Sequence, residues 1–250
     1  MKEILEEAAN YLKSLENING CITGSYLLGY FEGQDLDVFV YSERDLVNLL
    51  NVLGTNKLFQ LVDEIEKWKF FEYLYKGQSS LKKIGIISIK FKYNLSIDVN
   101  IIYKKGCENI LSVLSSFDFD IISKGFDLRT KQTLSLSENN TKEVDWNRWN
   151  TGYLEFDLWK SKRILRQLER CIKYHQRGFN TDKVVLKYIE IIDKTLSFKN
   201  IFKSEDFDNR LSDYKESLKI LKEICNEWLK NHLIEEEDLK QLQETIKKEI

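Results

Sequence analysis

No proline occurs in the 250 residues, where an average usage of about 5% would supply about a dozen. With abundant Lys, Asn and Ile, this gap has the look of AT-rich coding sequence and implies no mechanism. Cysteine is also scarce. Cys21, Cys107, Cys171 and Cys225 lie far apart without a Cys-x-x-Cys pair, and His175 and His232 are the only histidines. That inventory argues against a zinc site and for a reduced, intracellular setting. Neither sign of charge dominates: 38 basic residues face 40 acidic ones, for a formal net charge of −2. No global field marks a nucleic-acid binder, so any such surface must be local. No apolar run approaches the roughly 18 residues of a membrane span. The N-terminal "MKEILEEAANYLKSLEN" carries Glu where a signal peptide needs an unbroken apolar stretch. The chain is expected to be soluble and cytoplasmic, with no membrane partner.

What the chain has in quantity is periodic apolar sequence. Its hydrophobic content of 42% can fill the core of one large domain or of two ordinary ones. Residues 3–16 place Ile4, Leu5, Ala8, Leu12 and Leu15 on one helical stripe. A short strand is expected at about 18–23, then a Gly-Ser turn, then a strand at about 36–41. "ERDLVNLLNVL" (43–53) is helical by period, with Ser42 as its N-cap. "FFEYLYKG", "KIGIISIKFKY" and "LSIDVNIIY" are β-rich and alternating, with Gly77 and Tyr93-Asn94 offering turns between them. From about residue 150 glycine thins out, and "LWKSKRILRQLERCIKYHQRGF", "VVLKYIEIIDKTL", "YKESLKILKEICNEWLKNHL" and "EEEDLKQLQETIKKEI" all carry a 3.6-residue period. The expectation is an α+β fold. A mixed sheet with flanking helices occupies residues 1–136, and the polar stretch "SENNTKEVD" (137–145) links it to an all-helical domain of about four helices over 146–250.

Chemistry concentrates in "CITGSYLLGYFEGQDLDVFVY" (21–41). Asp35 and Asp37 stand two apart at the head of a strand and share one face of the sheet, while Leu36, Val38 and Val40 point to the other. By the same count, Asp98 stands with Ser96 and Asn100 opposite the core-facing Ile97, Val99 and Ile101. If these strands are neighbours, three carboxylates converge, and their repulsion raises their pKa values. A divalent metal removes the conflict. Hard oxygen ligands suit Mg²⁺, with Mn²⁺ as a substitute. A pair of metals so held can activate an attacking hydroxyl and stabilise a leaving pyrophosphate. Gly24-Ser25 then acquires a role: a turn without side-chain bulk admits a triphosphate to backbone N–H groups, and the Ser hydroxyl adds a hydrogen bond. An isolated Asp-x-Asp is ordinarily a solvated strand end. The ordered combination of strand, Gly-Ser, Asp-x-Asp on a strand and a later strand Asp points instead to catalysis.

In this combination "GSYLLGYFEGQDLDVFV" followed by "LSIDVNI" resembles the DNA polymerase β-type nucleotidyltransferase superfamily, over roughly residues 18–103. The resemblance implies a palm-like sheet on which Asp35 and Asp37 bind two Mg²⁺ ions. It implies that Asp98 binds the catalytic ion and helps deprotonate the acceptor hydroxyl, and that Gly24 and Ser25 hold the triphosphate of an NTP substrate.

The second half adds a basic stripe. Between 158 and 178 seven Lys or Arg stand against one acid, Glu169. Arg163, Arg166, Arg170, Lys173 and Arg177 fall at steps of three and four, while Ile164, Leu165, Leu168 and Ile172 take another face. A solvated helix face is the ordinary reading, but a stripe of one sign is better explained by phosphates opposite it. "RILRQLERCIKYHQRGF" and "SFDFDIISKGFDL" (116–128) are similar to segments of the CCA-adding and poly(A) polymerase branch of the superfamily. On that likeness Asp118 would reach a ribose hydroxyl. The departures are Gly-Ser in place of Gly-Gly, a missing Arg-Arg-Asp lead-in, and Ile122 where Asn would stand. With these departures, core packing of Phe117 and Phe119 on a strand accounts equally well for that segment. Trp146, Trp149, Tyr153, Phe156 and Trp159 could stack a base, and otherwise form the seam by which helices pack on the sheet.

The resulting expectation is a metal-dependent enzyme moving a nucleoside monophosphate from an NTP to a hydroxyl, the preferred acceptor being an RNA 3′ end. The alternatives are a small-molecule or protein acceptor, and a non-catalytic, antitoxin-like module of the same fold. The apolar periodicity of the C-terminal helices would also permit a dimer.

Overall fold

A computed structural model of the chain describes residues 2–29, 35–76, 85–137, 142–148, 160–197, 205–231, 240 and 243–244. The chain divides into two compact units, 1–138 and 139–250. The expected class is what the structure shows: α+β, with a mixed sheet and flanking helices in the first unit and helices in the second.

The first unit begins with helix α1 (Lys2–Ser14), whose Leu5, Ala8, Ala9 and Leu12 are buried at helical spacing. Strands β1 (Gly20–Thr23) and β2 (Leu36–Val40) follow, then α2 (Glu43–Thr55), β3 (Phe59–Leu61), α3 (Glu64–Lys76), β4 (Ile86–Tyr93), β5 (Ile97–Lys104), α4 (Ile110–Ser115), β6 (Lys124–Asp127) and β7 (Thr133–Ser135). The seven strands lie in the order β3-β4-β5-β2-β1-β6-β7. Every neighbouring pair is antiparallel except β2 and β5, which run parallel. Ser42 caps α2, accepting a hydrogen bond from the Asp45 amide at 3.1 Å.

Alternation sorts the central strands. Leu36, Val38, Val40, Val99 and Ile101 are fully buried against Leu5 and Leu12 of α1 and Leu46, Leu49, Leu50 and Leu53 of α2. Burial of each such leucine contributes about 1.5–3 kcal/mol relative to exposure. Cys21 and Phe39 point to the other face, where Cys107 and Val113 cover them. The opposite-face positions at the start of β2, and those beside them on β5, are where the polar side chains stand.

One expected strand is a helix. "FFEYLYKG" begins in the second half of α3, where Phe70 and Tyr73, three apart, are buried and Phe71 is 54% exposed. The aromatic content favours a strand, but Asp63 accepts from the Glu66 amide at 2.9 Å and starts a helix upstream of the aromatics. Gly77, the expected turn, lies outside the described residues. Phe117 and Phe119 sit on no strand. They belong to the irregular connection between α4 and β6, and Phe119 is fully buried there.

In the second unit the described helices are α5 (Lys160–Gln176), α6 (Asp182–Ser197) and α7 (Glu205–Asn231). Their core contains Leu165, Leu168, Val185, Tyr188, Leu221 and Trp228. Most of the fourth expected helical run, 235–250, lies outside the described residues. Among the described residues no helix is long and apolar enough to cross a membrane.

Candidate active site

Pairing of β2 with β5 sets Leu36 beside Val99 and Asp37 beside Asn100. With Leu36, Val38 and Val99 committed to the core, Asp35 and Asp37 must face away from it, and so must Asn100. The Asn100 side-chain amide donates to Asp35 Oδ2 and to Asp37 Oδ1, each at 2.9 Å. One nitrogen therefore gathers two carboxylates that would otherwise repel.

Gly24 closes on the same acid. Thr23 is the register partner of Asp37, so the next residue, Gly24, passes beside its carboxylate. A Cβ at Gly24 would stand 3.0 Å from Asp37 Oδ2. Its φ of 83° and ψ of −165° belong to a region that essentially only glycine enters. Ser25 opens a short 3₁₀ turn, Ser25–Leu28, directly after it. Asp37 is thus held between backbone on one side and an amide on the other.

Asp98 is engaged differently. Lys90 Nζ lies 3.5 Å from its Oδ2 and Lys92 Nζ 3.6 Å from its Oδ1. Both lysines come from β4, where Ile87, Ile89, Phe91 and Tyr93 face the core and the alternate residues face the acids. The Asn100 amide joins Asp35 to Asp37 but not to Asp98. Among the described residues no group of three His, Cys, Asp or Glu is arranged to hold a metal. Two hard carboxylates converging on one point nevertheless suit a small divalent cation, which takes one or two protein carboxylates and completes its shell with water and substrate phosphates. In these terms Asp35 and Asp37 fit Mg²⁺.

Alternation alone puts Asn100 on the acid face but gives it no role, and Lys90 and Lys92 are not among the expected site residues. The signal for the lysines was present: alternation in "IISIKFKY" sends Ser88, Lys90 and Lys92 to one side. Reading it required knowing that β4 is antiparallel to β5, with Lys92 opposite Asp98 and Lys90 opposite Asn100.

The basic stripe belongs to the second unit. Arg166 and Lys173 are exposed and Arg170 is half-buried, while Ile164, Leu165, Leu168 and Cys171 face the core. The side chain of Arg163 lies outside the described residues. Asp118 is only 3% exposed and accepts from the Phe119 amide at 3.0 Å. Trp146 packs edge-to-face on Tyr188 with ring centroids 5.3 Å apart, inside the second unit. Trp149, Tyr153, Phe156 and Trp159 lie outside the described residues. The four cysteines are buried, none of them in a disulfide, and burial pushes the Cys21 thiol up to about 12.

No protein-family model matches the chain, and no match is found among curated proteins. The structure is similar to a Thermotoga maritima CCA-adding enzyme complexed with tRNA(CCA), with a TM-score of 0.44 and 12% identity over 97% of this chain and 68% of that one. It is also similar to a tRNA-processing enzyme in an apo form, with a TM-score of 0.37 and 14% identity over 98% of this chain and 72% of that one. Likeness at this level carries no argument about function, which has to rest on the side chains of the site.

Proposed function

We propose that the chain is a metal-dependent nucleotidyltransferase, moving a nucleoside monophosphate from an NTP to an acceptor hydroxyl with release of pyrophosphate. The observation that supports this is the gathering of Asp35 and Asp37 onto a single point, with the side-chain-free Gly24 against Asp37. Mg²⁺ or Mn²⁺ held by the two acids would supply Lewis-acid stabilisation of the charge that develops on the phosphates. Gly24 and Ser25 would hold the triphosphate beside the acids through their backbone N–H groups and the Ser hydroxyl. Lys90 Nζ and Lys92 Nζ lie 3.5 and 3.6 Å from Asp98 carboxylate oxygens, on the acids' face of the sheet, and would exchange that carboxylate for phosphate oxygens of the NTP. With the lysines on phosphate, Asp98 would be the residue to join the two acids around the cation and to take the attacking hydroxyl's proton. In the reaction the acceptor oxygen forms its bond to the α-phosphorus as the bond to the pyrophosphate oxygen breaks. The preferred acceptor is the 3′ end of an RNA, on the strength of the basic side chains of α5.

The two lysine ion pairs on Asp98 favour a second reading, in which the third ligand is never released and the chain binds partners without transfer. One experiment separates the two. The protein is incubated with each α-labelled NTP, Mg²⁺ or Mn²⁺ and a pool of small RNAs, beside the Asp35→Asn/Asp37→Asn variant. Metal-dependent label in RNA that the variant loses is the expected result. Label in a protein or small molecule moves the acceptor and keeps the chemistry, whereas no transfer to any acceptor favours the binding module.

A further inference from the structure

At the end of the sheet opposite the acids lies a pocket of about 770 Å³. The strands define the two ends. β1 runs from Asn19 toward Gly24, and β2 runs back from Asp37 toward Ser42, so Asn19 and Ser42 meet at one end and Gly24 and Asp37 at the other. The strand rise between Asp37 and Ser42 puts the pocket roughly 17 Å from the acids.

Four elements or connections reach this pocket, all within the first unit. Arg44 comes from the first turn of α2 and Arg129 from the turn between β6 and β7. Both are exposed, and neither guanidinium makes a hydrogen bond or ion pair with another described residue. The other charges are accounted for. Asp45 is buried, its Oδ1 taking the Asn19 amide at 2.9 Å and its Oδ2 the Ser42 hydroxyl. The Lys131 ammonium donates to the carbonyls of Lys13 at 2.6 Å and Leu15 at 3.0 Å, which fixes a third positive charge at the wall. Glu16 is the remaining acid, and its carboxylate, like the side-chain amides of Asn17 and Asn48, has no internal partner among the described residues. The wall therefore offers two open guanidinium forks, two amides and one carboxylate acceptor. No described residue uses them.

Guanidinium forks match phosphate oxygens in pairs and hold them with charge-assisted hydrogen bonds. Two amides and a carboxylate acceptor can meet the hydroxyls and ring nitrogens of the rest of a ligand. The volume falls within the range of small-molecule sites, about 300–1,000 Å³. A pocket is also the wrong shape for a continuous backbone track. We propose that this pocket binds a phosphorylated small molecule of nucleotide size, its phosphate on Arg44 and Arg129, separately from the acid pair.

Calorimetric titration with AMP, and with inorganic phosphate, tests this in EDTA so that no metal–nucleotide complex forms at the acids. Wild-type protein should bind AMP saturably, and Asp35→Asn/Asp37→Asn should bind it equally well. Arg44→Gln/Arg129→Gln should weaken binding at least tenfold. Asn48→Asp, which keeps both arginines and adds a negative charge to the wall, should weaken it as well. Circular dichroism melts confirm that the exposed substitutions leave the fold intact. The proposal is overturned by an absence of saturable binding, by binding that the acid variant loses, or by binding that both pocket variants retain. It is also overturned if a short oligoribonucleotide binds there while AMP and phosphate do not.

Discussion

Gly24 tests how closely backbone and carboxylate cooperate at the acids. Any side chain there meets Asp37 Oδ2 at 3.0 Å and must also adopt φ 83° with ψ −165°. Gly24→Ala is expected to cost about 1–3 kcal/mol of stability. It should weaken NTP binding more than that cost alone explains, because Asp37 has to move. Thermal melts with nucleotide titration of the same variant read both effects, and unchanged nucleotide affinity would show that Gly24 serves the fold alone. The placement of Asp35 and Asp37 on one face, and of a turn at Gly24, is legible in the sequence because the signals are local: a two-residue strand period and a Gly-Ser pair. Asn100 was placed on the right face but not recognised. An Asn on the polar side of a strand looks the same whether it faces water or bridges two carboxylates, and only the parallel register with β2 distinguishes the cases.

At the scale of elements, the connection between β6 and β7 is tied to Tyr41, the residue that follows β2, by one carboxylate. Asp127 Oδ1 accepts from the Arg129 amide at 2.9 Å and the Thr130 amide at 2.8 Å, and its Oδ2 accepts from the Tyr41 hydroxyl at 2.8 Å. Burial by itself raises the pKa of this carboxyl, but the hydrogen bonds from Thr130, Tyr41 and Arg129 outweigh it and hold the group below its usual value. The folded-state pKa is therefore below the unfolded one. The stabilisation is complete above the unfolded carboxyl value, near 3.9, and is lost as pH falls through the depressed folded value. Asp127→Asn should lower stability at pH 7 by about 2 kcal/mol, the scale of hydrogen bonds to a charged group. Its melting curve should approach that of the wild type below about pH 4. A difference that stays constant from pH 7 to pH 3 would rule out the charge as its source. This tie was not legible in advance, since Tyr41 and Asp127 are 86 positions apart. The helix α3, where a strand is expected, differs for a related reason. Its aromatics satisfy a strand composition, and the helix is decided upstream, by the cap at Asp63 and the burial of Phe70 and Tyr73 on one side.

On the scale of the whole molecule, a nearly neutral chain separates its charges by place. The first unit carries Asp35, Asp37 and Asp98 with two lysines on one face of the sheet, and Arg44 and Arg129 in a pocket at the sheet's other end. The second unit carries Arg166 and Lys173 exposed on α5, against an apolar opposite side. The change from sheet to helices could be read from the loss of glycine and the switch of apolar period. It could not be read which charges would find partners, because ion pairs such as Lys90 with Asp98 depend on strand order. The central question for the molecule is whether the paired acids form a metal–nucleotide site. The most direct test is the electron paramagnetic resonance signal of Mn²⁺ titrated into the protein with each NTP, in wild type and in Asp35→Asn/Asp37→Asn. Saturable, NTP-dependent Mn²⁺ binding that the double variant loses is expected; equal binding by both proteins would rule out a metal site at Asp35 and Asp37.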